Sequence, residues 1–173
     1  MGLFSKDIQS MDDLFMHTLQ DIYYAENKIA KSLPGMISKV SNSELKQGLQ
    51  SHLRETQQHV TRLEQVFKML DSKVSSVTCP AIDGILEEAD EVSSEVADKN
   101  VLDAAIIASG QAVEHYEITR YGSLIAWAKE MGRKDVADVL ASTLEEEKAA
   151  DKKLTMVAEA RVNKAAEGMT RPM

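Results

Sequence analysis

Acidic residues recur at positions of this 173-residue sequence that its apolar periodicity assigns to the inside of helices. One such residue falls in each of four long helical segments: Glu26, Glu55, Glu114 and Glu147. A buried ionised carboxylate is very costly unless a positive charge joins it. Four of them in one helical core therefore predict a bound pair of metal ions.

Three more side chains lie one helical turn from these glutamates and complete the candidate ligand set. The resulting pairs are Glu55 with His59, Glu114 with Glu117, and Glu147 with Asp151. Residues three or four apart share one face of a helix, so both members of a pair can reach the same ions. Because oxygen-rich ligands with one imidazole suit iron or manganese, we predict two iron ions, or manganese, per chain.

Any one of these residues has an ordinary structural explanation. A lone glutamate at a helix edge usually forms a salt bridge, and the acidic run at 145–147 is typical of a solvated face. The metal hypothesis depends on matching depth instead. Glu26 precedes the first interhelical turn by about 16 residues and Glu55 follows it by about 13. Glu117 and Glu147 lie about 15 residues before and 13 residues after the second turn, so all four helices can contribute at one level.

Four long amphipathic segments and one shorter segment carry these residues. Apolar residues in alternating steps of three and four mark one face of each segment. The helices are predicted over about 12–40, 43–70, 81–96, 101–131 and 135–165, and no segment has the alternation of a strand.

Several residues predict where these helices begin, bend or end. Pro34 and Gly35 should kink or break the first helix, and Ser41 should cap the second with Glu44 as its capping-box partner. Pro80 suits the first turn of the short helix, and Gly132 should end the 101–131 helix. We also expect a cap at Asp98 or Asn100, and an inward face of the last helix that continues through Ala158 and Arg161.

The lengths of the connections predict how the helices are arranged. The turns near residues 41 and 132 are short, so each joins an antiparallel pair. Residues 71–100 are long enough to run back along the bundle, since a helix of 28 residues spans roughly 42 Å. We therefore predict an all-α, ferritin-like four-helix bundle with one long crossover that contains a fifth, shorter helix. The expected division is one domain over 1–166 and a tail over 167–173.

Composition restricts the partners and the compartment. A net charge of −8 disfavours nucleic acid and anionic membranes as partners. Cys79 is the only cysteine, which excludes a disulfide within the chain and a cluster of thiolates for zinc or an iron–sulfur centre. With no signal-peptide pattern and no apolar run that could cross a membrane, the sequence predicts a cytoplasmic protein.

Other polar residues near the predicted site have open roles. His52 lies three residues before Glu55 and is either a ligand or, more commonly for such a residue, a packed and hydrogen-bonded histidine. The hydroxyl groups of Tyr23 and Tyr121 are placed to bond a ligating carboxylate, although filling the core is the commoner use of tyrosine. His17 and His115 are predicted to lie on the surface, so they are not part of the ligand set.

Four segments carry a resemblance to a known family over about residues 7–160. They are LQDIYYAENKIAKSLPGM, HLRETQQHVTRLEQVF, AIIASGQAVEHYEITRYGSLIAWA and TLEEEKAADKKL. These segments resemble the YciE/YciF family of bacterial ferritin-like proteins. The resemblance implies a ferritin-like fold, a homodimer and a role under stress, without a settled activity.

A more distant similarity is to rubrerythrin, whose di-iron site uses a Glu-x-x-Glu pair on its third helix. Glu114 and Glu117 match that pair, and Glu26 matches the ligand on the first helix. The pairs on the second and fourth helices match only loosely, and Asp151 stands in place of a histidine. Because Cys79 stands alone, this resemblance implies that any electrons come from a separate, external donor.

Two classes of function follow from these residues. A metal pair held by carboxylates could reduce peroxide or dioxygen, which would make the chain a rubrerythrin-like oxidoreductase or peroxidase. The alternative is a structural or interaction protein that has the bundle but a degenerate or empty site. Iron storage in a hollow shell is a third and weaker reading, since it requires a large closed oligomer.

Overall fold

The computed structural model describes residues 8–168, which are almost entirely helical and contain no β-strand. The elements in chain order are α1 (Met11–Lys39), α2 (Ser43–Met69), α3 (Pro80–Glu95), α4 (Lys99–Glu130), α5 (Lys134–Val157), a π turn (Ala158–Val162) and α6 (Asn163–Ala166). The all-α prediction is therefore confirmed. The four long helices begin within two residues of their predicted starts, but α5 ends at Val157, where the π turn follows, and not near residue 165.

The four long helices form a bundle around one apolar core. α1 packs against α2 and α4, while α5 packs against α2 and α4 on the other side. The crossover after α2 contains α3, which lies on α1 and α4. Fully buried side chains from all four long helices fill the centre, among them Leu19, Ile22, Leu63, Leu124 and Leu140. Each such side chain contributes about 1.5–3 kcal/mol through its removal from water. The predicted bundle with one long crossover is confirmed.

The ends of the helices are fixed by local hydrogen bonds. Ser10 begins α1 with a capping box formed with Asp13. Asp98 caps α4 by accepting hydrogen bonds from the N–H groups of Asn100 and Val101. It is one of the two caps predicted for this helix. Gly132 follows α4 with a φ of +73°, a conformation that glycine adopts without steric cost.

The start of α2 differs from the prediction. The N-cap is Asn42, whose Oδ1 accepts bonds from the N–H groups of Glu44 and Leu45. Ser41 instead donates its hydroxyl and its N–H to the buried carboxylate of Asp103 on α4. The capping box between Ser41 and Glu44 was therefore wrong, because a tertiary partner takes the serine.

Of the kink or break predicted at Pro34 and Gly35, the break is wrong, and the kink stays a prediction. α1 continues without interruption through Pro34 and Gly35 to Lys39. The proline lies on the exposed side of the helix, between the buried Leu33 and the half-buried Met36. Burial of the apolar side of α1 offsets the cost of a missing backbone hydrogen bond.

The last helix departs from regular geometry near its end. A π turn over Ala158–Val162 adds one residue to the helical repeat. As a result Val162 is buried and Arg161 is exposed. The predicted inward position of Arg161 was wrong, because a regular period was extended through this turn.

Within residues 8–168, no helix is both long enough and apolar enough to cross a membrane. The proposed tail over 167–173 lies mostly outside the described residues.

Candidate metal centre

The bundle brings five of the predicted ligands together at its centre. They are Glu26 from α1, His59 from α2, Glu114 and Glu117 from α4, and Glu147 from α5. Four of them have no exposed surface, and Glu114 is only 3% exposed. The matching depth that was predicted from residue counts therefore holds for one side chain or more on every long helix.

These side chains form two overlapping groups that share Glu147. One group is Glu26, His59 and Glu147, and the other is His52, Glu114, Glu117 and Glu147. Within each group, the possible ligand atoms all lie within 4.8 Å of one another. Two neighbouring groups with a shared carboxylate are the arrangement expected for a pair of bridged ions.

The buried oxygen atoms of this cluster largely lack hydrogen-bond partners. Both carboxylate oxygens of Glu117 and of Glu147 are unpartnered, as is one oxygen each of Glu26 and Glu114. Buried polar atoms are nearly always paired in folded proteins, and an unpaired one costs about 1–3 kcal/mol. So many orphaned oxygens in one place fit a cation that would bind them together.

One nitrogen of His59 also lies beside carboxylates without a hydrogen-bond partner. Nδ1 of His59 is 2.9 Å from Oε1 of Glu147 and 3.4 Å from Oε1 of Glu26. Neither contact is aligned as a hydrogen bond, so Nδ1 remains unpartnered. A nitrogen that is close to two carboxylates but bonded to neither is placed to share a cation with them.

Burial and mutual repulsion disturb the ionisation of the carboxyl groups. Burial, together with the charge of Glu147, raises the pKa of Glu114 to about 10. The same two causes raise the pKa of Glu117 far above its usual range. Burial also raises the pKa of Glu26, although His59 opposes this effect. The fold therefore disfavours several negative charges here unless protons or metal ions neutralise them.

The two histidines respond to this environment in opposite ways. Burial alone would lower the pKa of His59, but the neighbouring carboxylates of Glu147 and Glu26 raise it to about 11. Burial lowers the pKa of His52, so its imidazole stays neutral. Four carboxylates face at most one imidazolium here, whereas two divalent ions would balance all four negative charges.

Contacts outside the cluster orient its side chains. The other nitrogen of His59, Nε2, is 2.8 Å from Oε2 of Glu146. Arg62 binds both oxygens of Glu146, with Nη2 2.9 Å from Oε1, and also donates to the hydroxyl of Thr143. The ion pair between Arg62 on α2 and Glu146 on α5 thereby holds the imidazole of His59 with Nδ1 facing the cluster.

The two tyrosines have different partners. Tyr121 is completely buried, and its hydroxyl donates to Oε1 of Glu26. Tyr23 donates instead to Glu64, at 3.0 Å, on the outer side of α2. Of the two hydroxyls considered from the sequence, Tyr121 contacts a candidate ligand and Tyr23 does not.

Two predicted ligands, Glu55 and Asp151, lie outside both groups. The side chain of Glu55 is 39% exposed, accepts a bond from Ser51 and has Oε2 3.9 Å from Nδ1 of His52. Asp151 accepts a bond from Gln111 at 2.9 Å, and its Oδ1 is 3.4 Å from Nε2 of the exposed His115. Their inclusion in the ligand set stays a prediction.

Two residues of this site, His52 and Glu146, are absent from the ligand set predicted from the sequence. His52 was left open between a ligand, a donor to a ligand and a packed histidine, and its Nε2 lies 3.3 Å from Oε1 of Glu114. Its position one helical turn before Glu55 and two before His59 was the available signal. Glu146 carried no such signal, because its role depends on Arg62 and His59 of another helix.

A family model and a known protein both match this chain over nearly its whole length. A family model described as "Domain of unknown function (DUF892)" matches residues 10–167. Protein YciF of Escherichia coli (strain K12) is 41% identical over 162 residues, which cover 93% of this chain and 98% of that protein.

Two solved structures are similar in both fold and sequence. The crystal structure of the E. coli stress protein YciF has a TM-score of 0.86 at 40% identity and covers 91% of this chain and 99% of its own. YcfI from Rhodopseudomonas palustris, for which a structural role has been suggested, has a TM-score of 0.86 at 60% identity. That match covers 88% of this chain and 98% of YcfI.

Proposed function

Because this chain belongs to the DUF892 family and resembles a stress protein over most of its length, we propose that it is a stress-response protein with a carboxylate-bridged pair of metal ions. The ions are iron or manganese, two per chain. The observation that carries this proposal is the cluster of buried, unpartnered carboxylate oxygens from α1, α4 and α5, arranged in two groups that share Glu147.

The chemistry of the donor atoms supports this choice of metals. Four carboxylates and two imidazoles offer mainly oxygen with some nitrogen, which suits iron and manganese. The described residues hold no cysteine near this cluster, since Cys79 contacts Tyr116 instead. Soft metal ions that prefer sulfur are therefore poor candidates.

The side chains have distinct tasks in this proposal. Glu147 contributes to both groups and would bridge the ions, while Glu26 with His59, and Glu114 with Glu117 and His52, would hold one ion each. Tyr121 orients Glu26, and Glu146 orients His59. Bound iron would supply electrons for the reduction of peroxide or dioxygen, with an external donor to restore them.

A metal titration of matched variants tests the proposal. Glu147→Gln removes the shared carboxylate, whereas Glu145→Gln changes an exposed glutamate of the same run on α5. Iron(II) under anaerobic conditions, or manganese(II), should stabilise the wild type and the Glu145→Gln control by about 2.7 kcal/mol at 100 times the Kd. Glu147→Gln should lose this stabilisation, which thermal unfolding monitored by circular dichroism would measure.

The same experiment separates the metal hypothesis from its alternative. If saturating iron and manganese both leave the wild-type melting temperature unchanged, the chain is a structural or interaction protein with an empty site. The suggested structural role of YcfI gives that alternative its support.

We also propose that the protein is a cytoplasmic homodimer, with residues 1–166 as one domain. It is proposed to have no nucleic acid or membrane partner. Static light scattering after gel filtration would test the dimer, and a mass of many chains would favour a storage shell instead.

A further inference from the structure

A cleft between α2 and α5 leads from the surface to the metal centre. It encloses about 150 Å³. Its walls are mostly apolar and include Leu45, Leu49, Ala149, Ala150, Leu154 and Val157. Exposed residues such as Glu44 and Lys153 lie at one end, and the buried His52 and Glu114 lie at the other.

Small residues on the two facing helices create this space. Gly48 of α2 faces Lys153 of α5, where an added Cβ would be 3.7 Å from Cε of the lysine. Ala149 and Ala150 of α5 line the same cleft. Larger side chains at these positions would occupy the cleft without any need to alter the cluster of carboxylates.

The inner end of the cleft has polar atoms without partners. Nε2 of His52 is 3.3 Å from Glu114, on the side of the metal centre. Nδ1 is on the opposite side of the ring, 3.9 Å from Oε2 of Glu55, which also lines the cleft. This buried Nδ1 has no hydrogen-bond partner. With Nε2 bound to a metal, Nδ1 would carry a proton and could donate it to a molecule in the cleft.

Charges along the cleft select against an anion. The carboxylates of Glu44 and Glu55 outnumber the ammonium group of Lys153, and Glu114 lies at the inner end. Glu146 also lines the cleft, but Arg62 neutralises it. A negatively charged molecule would meet like charges, while a cation would lose its hydration against apolar walls.

We propose that this cleft binds a small uncharged molecule with a hydrocarbon body and one O–H head group, of the type found in alcohols and organic hydroperoxides. A cavity of about 150 Å³ can hold a ring the size of benzene. The head group can accept a bond from Nδ1 of His52, and its own hydrogen can be donated to a carboxylate. The proton on Nδ1 and the proximity of the cleft to the ions rest on the proposed function. The apolar cleft itself does not, and an O–H head group can equally donate to an unprotonated Nδ1.

Three probes that share one hydrocarbon body test the head group. Benzyl alcohol, benzoate and benzylammonium differ mainly in charge, and isothermal titration calorimetry with the full chain would measure each Kd. Benzyl alcohol should bind about tenfold more tightly than either ion, a difference of about 1.4 kcal/mol. Tighter binding of benzoate or benzylammonium would overturn the assignment.

Variants of the cleft test the location. Gly48→Val and Ala150→Met fill the cleft from opposite walls, and each should weaken benzyl alcohol binding about tenfold or more. Gly84→Val on α3 is the matched control, since nothing lies within 4 Å of a Cβ there, and its affinity should equal that of the wild type. If both cleft variants are folded and bind as the wild type does, the cleft is not the site.

The two proposals can fail separately. Gly48 lies outside the candidate ligand groups, so Gly48→Val should keep the metal-dependent rise in melting temperature. Alcohol binding that depends on residue 48, together with no metal effect in the wild type, would overturn the metal centre alone. A normal metal effect with alcohol binding that is insensitive to both cleft variants would overturn the cleft alone.

Discussion

Two adjacent glutamates on α5 show how strongly the environment of a residue decides its task. Glu147 is completely buried and faces the cluster of carboxylates, whereas Glu146 is one-third exposed and turns towards α2. There it contacts Nε2 of His59 and forms an ion pair with Arg62. A carboxylate behind a metal-binding histidine fixes the tautomer of the ring and raises its basicity.

We expect Glu146→Gln to weaken metal binding about 10- to 100-fold, because the amide gives up the ion pair with Arg62 and orients His59 less firmly. Competition titration with a metal-sensitive dye would measure the change. Glu145→Gln, at an exposed position of the same run, is the control and should bind as the wild type does. An unchanged affinity in Glu146→Gln would show that the ring is oriented by packing alone.

Buried ionisable groups should make the stability of the metal-free protein depend on pH. The pKa of Glu114 rises from 4.5 in a free side chain to about 10 in the fold, and that of His59 from 6.5 to about 11. As pH rises, the unfolded chain loses protons that the folded chain retains, so the free energy of unfolding falls. Each group contributes a slope of at most about 1.4 kcal/mol per pH unit.

Urea unfolding in the presence of a chelator should therefore show lower stability at pH 9 than at about pH 5. Glu114→Gln should make this dependence shallower, and added metal should reduce it because metal binding displaces the protons. Asp135 and Glu146 have lowered pKa values, so their ionisation affects stability only at pH values below the range from pH 5 to pH 9. Stability that stays constant or increases towards pH 9 would contradict the buried protonation.

At the scale of elements, contacts between helices set how the site residues align. Asp103 at the start of α4 accepts two bonds from Ser41 and one from the N–H of Asn42. It thereby fastens the turn between α1 and α2 to a third helix. At the opposite end of the bundle, Arg133 donates to the backbone oxygen of Met69. These two links hold the helices at depths where their carboxylates meet.

The continuous α1 predicts a stabilising substitution. Pro34 lies inside the helix on its exposed side and lacks the N–H of a regular turn. Pro34→Ala should raise the free energy of unfolding by about 1–3 kcal/mol, as the helix gains a hydrogen bond and a better helix former. Urea unfolding would measure it, and metal affinity should not change. A loss of stability would mean that α1 needs the geometry imposed by proline to pack against its neighbours.

For the molecule as a whole, the crossover and the net charge decide what the bundle can do. The crossover that contains α3 lets α2 and α5 pack side by side, which brings His59 next to Glu146 and Glu147. The net charge of −8 gives the chain a surface that attracts cations and repels polyanions.

We expect this charge to prevent binding to duplex DNA. Each DNA contact would need Lys or Arg to replace counterions, and acidic residues outnumber basic ones by 28 to 20. A gel-shift assay at low salt, where electrostatic binding is strongest, should show no retarded band. A band that disappears as salt is added would reveal a local basic surface and contradict the expectation.

The all-α class, the helix bounds and the depth of the site could be predicted from the sequence, because they depend on local periodicity and on residue counts. The spacing of apolar residues located the starts of the four long helices to within two positions. Similar distances from the second turn placed Glu117 and Glu147 at one level, and both lie in the cluster. Short-range signals such as Pro80 and Asp98 marked helix starts correctly.

Only the tertiary structure decided which neighbours of these residues face inward. A helix that turns by a few tens of degrees about its axis exchanges one edge position for another, and periodicity does not resolve such a rotation. The rotation of α2 buries His52 and leaves Glu55 partly exposed, while that of α5 leaves Asp151 outside both groups. The roles of Ser41 and Glu146 likewise came from partners on other helices, which no local pattern encodes.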